Sequence, residues 1–586
     1  MSINLFPAPK ELRVGGEGVG FDAPVARRQV TSLPAEGFEI TIGPEGVRVD
    51  YADPNALRYA EATLAQIRAQ AQQGWPGLWL RDAPDFAVRG LMLDVSRDRV
   101  PTRETLARLV ELLAIGRMNH LELYTEHAFA YREHECVWRN ASPITPDDVR
   151  WLDAHCRERG IELVANQNCF GHLERWLAHE PYRARAEAPE GWNVAGGGQR
   201  APAVLAPTEE NARFALELVR ELLESFTSRQ VNIGCDETFE LGRGHSRIEV
   251  ATRGRGRVYL DHLQRLLAGL HGDGCEVLFW GDILRNHPEL VPELPREKTI
   301  ALAWHYEAPL DAATLPEDVQ TRLAGFGMDA RALRGFEAQV PAFADAGLPF
   351  WVCPGTSSWN SLVGRWANAR ENLLDAARVG RARGAPGLLL TDWGDNGHLQ
   401  PPSVSFAPLL FAAALGWGVE RHAALDVARV LDERVFAGAS GLGAVYLDVA
   451  DAYTQTGLQG FNASPLVAGL LSRASLLDFG ELDPQATNAL VERLDEASAR
   501  AAALSPSSAE GELCVRELRQ AIRLARHGAW RLLLTHGCAS PTDAELRRDL
   551  AEGIEEQRAC WLARSRPGGL ADSLARLEAT LDTYGE

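Results

Sequence analysis

The stretch Val231-Asn232-Ile233-Gly234-Cys235-Asp236-Glu237-Thr238 decides how the rest of the chain is interpreted. Its apolar, β-branched start predicts a buried strand that ends at two adjacent carboxyl groups. Successive side chains of a strand point to opposite faces, but both can be presented at one rim where the strand turns into a loop. Such a pair is either the acidic first turn of a helix or a catalytic pair, and the stretch alone leaves both open.

Composition limits the class of protein. With 586 residues, 46% of them hydrophobic and 24% charged, the chain is typical of a globular protein of more than one domain. A formal net charge of −20 argues against nucleic acid and anionic membranes as partners. No signal peptide or transmembrane run is visible, and nine scattered cysteines without a Cys-x-x-Cys pair favour free thiols in the cytoplasm over a zinc site.

The chain divides into three predicted regions. Residues 1–87 alternate strand-like and turn-like pieces, with a hairpin signal around 43–46, and predict a small α+β domain. Residues 88–420 repeat a strand followed by a helix. Residues 421–586 lose the strand signal, and Asp483-Pro484 and a capping box at Thr542 start long amphipathic helices of a C-terminal domain.

The repeat in the middle region predicts a TIM barrel. Its eight strand candidates lie at 89–96, 118–125, 160–167, 230–236, 275–282, 298–306, 349–356 and 386–394. Eight β/α units specify a (β/α)8 barrel, whose active site lies at the carboxyl ends of the strands. A doubly wound sheet is the alternative, but no Gly-x-Gly-x-x-Gly follows the first strand.

Polar and aromatic residues follow the carboxyl end of every strand candidate, as an active site in a barrel requires. They are Asp94 and Arg97, Glu126 and His127, Asn168 and His172, Asp236 and Glu237, Trp280 and Asp282, Trp304 and Tyr306, Ser358 and Trp359, and Trp393 and Asp395. A single Trp is more often core than platform, and Arg89, which begins the first strand, has the alternative of capping the barrel bottom. Together, aromatic faces, acids and amides suit a sugar. Glycoside hydrolysis needs two carboxyl groups and no cofactor or metal.

Three segments carry a resemblance to a known family. They are Arg89-Gly90-Leu91-Met92-Leu93-Asp94-Val95-Ser96-Arg97, Phe170-Gly171-His172 and Ile233-Gly234-Cys235-Asp236-Glu237. The segments resemble the signatures of family 20 glycoside hydrolases, the β-N-acetylhexosaminidases, and most of all the hexosaminidase D-like branch. The resemblance implies an exo-acting, retaining enzyme that removes terminal β-linked GlcNAc or GalNAc, with the 2-acetamido group of the substrate as nucleophile. Adjacent acids suit this route, because a protein nucleophile needs the two carboxyl groups about 5–5.5 Å apart across the scissile bond.

The resemblance also implies a role for each site residue. Glu237 is the general acid/base, and Asp236 orients the acetamide. Two like charges this close should raise one pKa, which helps Glu237 stay protonated. The substrate-binding set is Arg89, His172, Trp280, Trp304, Tyr306, Trp359, Trp393 and Asp395. The strand-seven Tyr of the family is absent, and Tyr306, with Tyr124 second, is expected to bind the acetamido oxygen instead.

Two other functions stay open at this stage. One is a glycosidase of the same fold that acts on a sugar without a 2-acetamido group, which the missing Tyr favours. The other is a non-catalytic, carbohydrate-binding barrel. In each case the partner is a small oligosaccharide or glycoconjugate, no cofactor or metal is expected, and a homo-oligomer is left open. A Gly-rich insert at 191–200 either shapes the aglycone site or is a surface loop.

Overall fold

The computed structural model describes residues 3–194, 198–325, 332–436, 439–477 and 479–585. Eight parallel strands form a closed barrel, which confirms the predicted TIM-barrel class. The strands are β1 (Val88–Asp94), β2 (His120–Thr125), β3 (Glu162–Gln167), β4 (Gln230–Asn232), β5 (Glu276–Trp280), β6 (Thr299–Trp304), β7 (Phe350–Cys353) and β8 (Gly387–Asp392). β8 pairs with β1 and so closes the ring. The strands are buried on both faces, and for this reason they appear in the sequence as near-continuous apolar runs.

Helices cover the outside of the barrel between the strands. The longer ones span Arg103–Ile115, Pro146–Glu158, Glu209–Leu223, Arg255–Gly272, Glu317–Gly325, Trp366–Ala382 and Phe406–Trp417. Shorter ones span Glu135–Trp138, Glu174–Leu177, Glu180–Arg183, Arg247–Arg253, Asp282–Arg285, Phe336–Gln339, Pro341–Ala344 and Val419–His422. Among the described helices, none combines the length and the apolar character needed to cross a membrane.

Strand β4 ends earlier than the sequence predicted. The prediction ran from 230 to 236, but the strand ends at Asn232. Gly234 (φ 65°) and Cys235 (φ 71°) then adopt left-handed backbone conformations that turn the chain before the acid pair. A Cβ on Gly234 would lie 2.4 Å from the side chain of Asn168, so both the φ angle and the close approach require glycine. The turn places Asp236 and Glu237 on a loop at the rim.

The N-terminal region is a five-stranded sheet with one helix packed on it. In sheet order the strands are Glu11–Val14, Leu78–Asp82, Phe38–Gly43, Gly46–Tyr51 and Val25–Gln29. Gly43 lies opposite Gly46, which confirms the predicted hairpin. The helix, Pro54–Gln70, is capped by Asp53 and buries Tyr59 and Leu64 among its apolar face. This is the predicted small α+β fold.

The C-terminal region is helical, as predicted. Its helices span Val427–Arg434, Leu442–Ala450, Pro465–Leu470, Pro484–Ala502, Ala509–Thr535, Asp543–Arg564 and Leu570–Leu581. A two-stranded ladder, Leu458–Gln459 with Phe479–Gly480, is an addition that the sequence did not predict. The region packs on the barrel, where Arg576 pairs with Asp98 at 2.7 Å. The boundaries at 87/88 and 420/421 stay predictions.

Candidate active site

The two adjacent acids lie beside a histidine at the carboxyl end of the barrel. His172 Nε2 is 3.2 Å from Asp236 Oδ2 and 3.5 Å from Glu237 Oε2. Asn168 Nδ2 donates to Asp236 Oδ1 at 2.8 Å, so the loops after β3 and β4 fix each other. The Asp236 side chain is 9% exposed and that of Glu237 is 37% exposed. Glu237 therefore faces the opening, whereas Asp236 is held behind it.

The surroundings push the pKa values of the two acids apart. Burial raises the pKa of Glu237; the charges of Asp236 and Asp395 add to the rise, and the charge of His172 opposes it. Burial also opposes ionisation of Asp236. The charge of the nearby His172 and the hydrogen bond from Asn168 outweigh this effect, and the pKa of Asp236 is lowered. Although burial lowers the pKa of His172, the Asp236 carboxylate raises it to about 9. An acid with a raised pKa beside a neighbour with a lowered pKa is the arrangement that general acid catalysis needs.

A third carboxyl group lies behind the acid pair. The backbone N–H of Glu237 donates to Asp282 Oδ2 at 3.1 Å, which fixes the loop that carries Glu237. Burial, followed by the charge of Asp236, raises the pKa of Asp282 to about 7. The sequence placed Asp282 at the end of the fifth strand candidate but gave it no role.

The prediction that Arg89 binds the sugar is wrong. Arg89 lies at the amino end of β1, roughly 17 Å from the carboxyl end of that strand at about 3.3 Å per residue. Its side chain is fully buried, pairs with Glu36 Oε2 at 2.7 Å and donates to the carbonyl oxygens of Phe86 and Arg117. The side chain closes the barrel bottom, which was the structural alternative for this residue.

Arg97 occupies the place that the sequence gave to Arg89. Its guanidinium donates to Asp94 Oδ2 at 3.0 Å and lies 3.3 Å from Glu126 Oε1 and 4.0 Å from Asp395 Oδ1. It also lies 3.4 Å from His172 Nδ1, so it joins the acid pair to the opposite rim. The sequence already distinguishes the two arginines. Arg97 follows the carboxyl end of the first strand, where the active site of a barrel lies, whereas Arg89 lies at the amino end of the same strand.

The predicted aromatic residues come together beside the acids. The Trp393 indole N–H donates to the Tyr306 hydroxyl at 2.8 Å. Trp304 stacks on Tyr306 with ring centroids 5.1 Å apart, and Trp359 contacts Tyr306 edge-on at 5.1 Å. Trp280 lies 5.8 Å from Trp393. The five rings form one aromatic cluster, called the aromatic pocket below, and their role in binding a sugar stays a prediction.

The pocket also contains hydrogen-bond donors that the protein leaves unused. The indole N–H groups of Trp280, Trp304 and Trp359 are buried and have no partner among the described residues. Buried polar groups are nearly always hydrogen-bonded, so three such donors in one pocket indicate a polar ligand. At the mouth, the Asp395 side chain is 39% exposed. Within the described ranges, no group of three or more His, Cys, Asp or Glu residues has the geometry to hold a metal ion.

Comparison with known proteins adds to this geometry. The family model "Glycosyl hydrolase family 20, catalytic domain" matches residues 86–319. A β-hexosaminidase of Akkermansia muciniphila is 23% identical over 256 residues, which are 40% of this chain and 52% of the relative. Hexosaminidase D of Homo sapiens is 24% identical over 239 residues, which are 39% and 46% of the two chains. The matched segments thus span about half the length of these relatives.

A solved structure shares the fold. The β-N-acetylhexosaminidase of Bacteroides fragilis superposes with a TM-score of 0.53 and 16% identity, over 71% of this chain and 91% of that chain. The sequence match and the acid pair at the end of β4 confirm the resemblance that the motifs predicted. Residues 86–319 of the barrel therefore match the glycosyl hydrolase family 20 catalytic domain.

Proposed function

We propose that this chain is an exo-acting, retaining β-N-acetylhexosaminidase that removes terminal β-linked GlcNAc or GalNAc. The observation that carries the proposal is the adjacent pair Asp236 and Glu237, bridged by His172 and with only Glu237 well exposed. Neighbours on one loop do not straddle a sugar as an acid and a protein nucleophile must. The substrate therefore supplies its own nucleophile.

In the proposed first step the 2-acetamido oxygen attacks C1 while Glu237 protonates the leaving oxygen. The C1–O bond to the leaving group breaks, and an oxazolinium-type intermediate forms. Asp236, which stays ionised, accepts the acetamide N–H and stabilises the positive charge that grows there. In the second step Glu237 takes a proton from water, whose oxygen attacks C1 and restores the acetamide. The β configuration is retained because C1 is displaced twice.

The remaining residues fit the binding of one terminal sugar. Arg97 and Asp395 are placed to hold ring hydroxyls, a role that passes from Arg89 to Arg97. The aromatic pocket suits the acetamido methyl group, because its walls are apolar. The Tyr306 hydroxyl already accepts the Trp393 N–H, so the unpaired indole N–H groups of Trp280, Trp304 and Trp359 join Tyr306 as donors for the acetamido oxygen.

Turnover of p-nitrophenyl β-GlcNAc and β-GalNAc, and of a GlcNAc disaccharide, tests the proposal. Glu237→Gln should lower kcat/KM for the disaccharide by about 10²–10⁴-fold, because the variant has no proton to give. The loss should be smaller for p-nitrophenol, a leaving group that needs less protonation. Circular dichroism of the variant controls for folding. Failure of the wild-type protein to turn over any 2-acetamido substrate would contradict the proposal.

A second candidate function is a glycosidase for a sugar without the 2-acetamido group. The family has a Tyr near strand seven, and this chain has Ser358-Trp359-Asn360 there instead. The missing Tyr favours this second candidate. A thiazoline inhibitor separates the two, because tight inhibition requires a site that stabilises the cyclised acetamide. Sugar binding without hydrolysis would instead support the non-catalytic barrel.

The cellular location is also a proposal. All nine cysteines are free thiols, and seven of them are buried. Free thiols are typical of a reducing compartment, which supports a cytoplasmic location. The oligomeric state is left open.

A further inference from the structure

The loop that follows Glu237, residues 238–246, is held in place by a buried carboxylate. Glu187 Oε1 accepts the backbone N–H groups of Gly242, Gly244 and Ser246 at 3.0–3.2 Å, and the Ser246 hydroxyl at 2.7 Å. A Cβ on Gly244 would lie 1.7 Å from the Glu187 carbonyl oxygen, so only glycine fits. The loop therefore has a defined position relative to the acid that precedes it.

A β-hairpin also contacts this loop. Its strands, Trp192–Val194 and Gly198–Arg200, belong to the Gly-rich insert after β3. The Arg243 guanidinium lies 4.5 Å from the Trp192 ring centroid and donates to the carbonyl oxygens of Asn193 and Phe239, each at 3.1 Å. These contacts hold Arg243 in one position, although it is exposed to solvent.

Two arginines on this surface have no acidic partner. Arg243 and Arg255 donate only to backbone carbonyls, that of Thr238 in the case of Arg255, and no carboxylate lies within 4.0 Å of either among the described residues. The Arg255 Nε is buried and also has no partner in the described part of the chain. By contrast, Arg253 pairs with Glu249 and Arg257 with Glu293, both at 2.5 Å.

The position of these cations relates them to the leaving group. An acid that protonates the glycosidic oxygen lies on the leaving-group side of the scissile bond, and the loop begins one residue beyond Glu237. Phe239 on this loop is 46% exposed, which is unusual for a large apolar side chain. An exposed aromatic face suits stacking on the apolar face of a sugar ring.

We propose that Phe239, Arg243 and Arg255 form a subsite for a leaving group that carries an oxyanion. The proposal rests on the proposed hydrolase function and specifies its substrate class. The oxyanion is the carboxylate of a uronic acid or the sulfate of a sulfated sugar in the position next to the terminal residue. Guanidinium groups match the geometry of both anions.

The positive charge of the subsite would offset electrostatic repulsion at the barrel mouth. The carboxyl groups of Asp236 and Asp395 lie beside Glu237 at the barrel mouth, and their negative charge would repel an anionic leaving group. Like charges a few ångströms apart near a protein surface interact strongly enough to exclude such a substrate. Two guanidinium groups with no carboxylate within 4.0 Å among the described residues offset this repulsion where the leaving group enters.

The test is a ratio measured within each enzyme. The ratio is kcat/KM for GlcNAc β-linked to glucuronic acid divided by kcat/KM for GlcNAc β-linked to GlcNAc. Arg243→Gln and Arg255→Gln should each lower it about tenfold at low ionic strength, and the difference should shrink near 1 M salt, where the Debye length is about 3 Å. A GlcNAc disaccharide sulfated on its second sugar, compared in the same way, distinguishes sulfate from carboxylate.

Arg257→Gln is the matched control, because it removes the same charge from the helix that carries Arg255. The control should leave the ratio unchanged. An unchanged ratio in both test variants, or an equal fall in Arg257→Gln, would overturn the subsite. A ratio does not depend on the amount of folded enzyme, so partial unfolding of Arg255→Gln does not disguise the result.

Failure of the proposed function has a different signature. It appears as no turnover of p-nitrophenyl β-GlcNAc or of either disaccharide by the wild-type protein. The subsite is then tested by calorimetric titration of the glucuronic acid disaccharide into the wild-type protein and Arg243→Gln. Binding about tenfold weaker in the variant supports the subsite, and equal binding overturns it.

Discussion

The two ends of the barrel both contain buried charges, but the charges have different partners. At the amino end, Arg89 pairs with Glu36 at 2.7 Å and Arg117 with Asp82 at 2.8 Å, and both guanidinium groups are buried. At the carboxyl end, the carboxyl group of Glu237 is 37% exposed and three indole N–H groups lack partners among the described residues. Polar groups that are satisfied within the protein stabilise the fold, and groups left incomplete are available to a ligand.

The comparison also explains what the N-terminal domain contributes. Glu36 and Asp82 both belong to that domain, and each meets an arginine of the barrel. Trp417, from the last barrel helix, donates its indole N–H to Asp82 at 2.9 Å and lies 4.4 Å from the Arg117 guanidinium. The small domain therefore closes the barrel bottom through buried ion pairs.

The largest expected effect on stability follows from Arg89→Met. The change leaves the Glu36 carboxylate buried without its cation, which should lower the free energy of unfolding by about 3–5 kcal/mol. Urea unfolding measures the loss, and kcat/KM per folded molecule should stay close to that of the wild type. The double variant Arg89→Met with Glu36→Gln should recover part of the stability. If Arg89→Met left the stability unchanged and caused a large loss of kcat/KM, Arg89 would be a substrate-binding residue after all.

The opposite result is expected for Arg97→Gln. The change removes the cation that contacts Asp94, Glu126 and His172 beside the sugar position, and kcat/KM for p-nitrophenyl β-GlcNAc should fall about a hundredfold, or about 2.7 kcal/mol. The stability loss should be smaller than for Arg89→Met, because the Arg97 side chain is 19% exposed whereas that of Arg89 is fully buried. Arg103→Gln, a surface arginine of the same segment, is the control. If Arg97→Gln lowered Tm as much as Arg89→Met and retained kcat/KM, Arg97 would be a structural residue like Arg89, and the two barrel ends would not differ in this respect.

The barrel was predictable because its signal is local. Strands buried on both faces appear as apolar runs, and polar residues follow each run where the active site lies. Even β1, predicted at 89–96, is found at Val88–Asp94. The aromatic pocket was predictable for the same reason, since each of its rings stands at or shortly after the end of a strand.

The errors concern contacts between distant parts of the chain. One segment contains both Arg89 and Arg97, and the motif alone does not say which arginine meets the sugar. The early end of β4 depends on Asn168 of the loop after β3, which packs on Gly234 and accepts the N–H of Cys235 at 3.1 Å. The partner of Arg89, Glu36, lies in a different domain. The hydrophobic periodicity of a single segment does not predict contacts between residues that are distant in the sequence.

The smallest expected effect is a shift in pH dependence, and it tests how far His172 belongs to the incomplete end of the barrel. The proposed mechanism requires Asp236 ionised and Glu237 protonated, so kcat/KM should fall below the lowered pKa of Asp236 and above the raised pKa of Glu237. With its own pKa near 9, His172 is positively charged between these limits.

The charge of His172 lowers both carboxyl pKa values, so His172→Gln should raise both. The acidic and the alkaline limbs of the kcat/KM profile should then move together to higher pH. His245→Gln, which changes an exposed histidine of the neighbouring loop, should leave both limbs in place. If His172→Gln lowered the maximum of the kcat/KM profile but left both of its limbs in place, His172 would only support the loop structurally, as Arg89 supports the barrel bottom. A shift of both limbs to higher pH would place its charge within the acid–base chemistry, because looser packing around the acids would admit water and lower both pKa values instead.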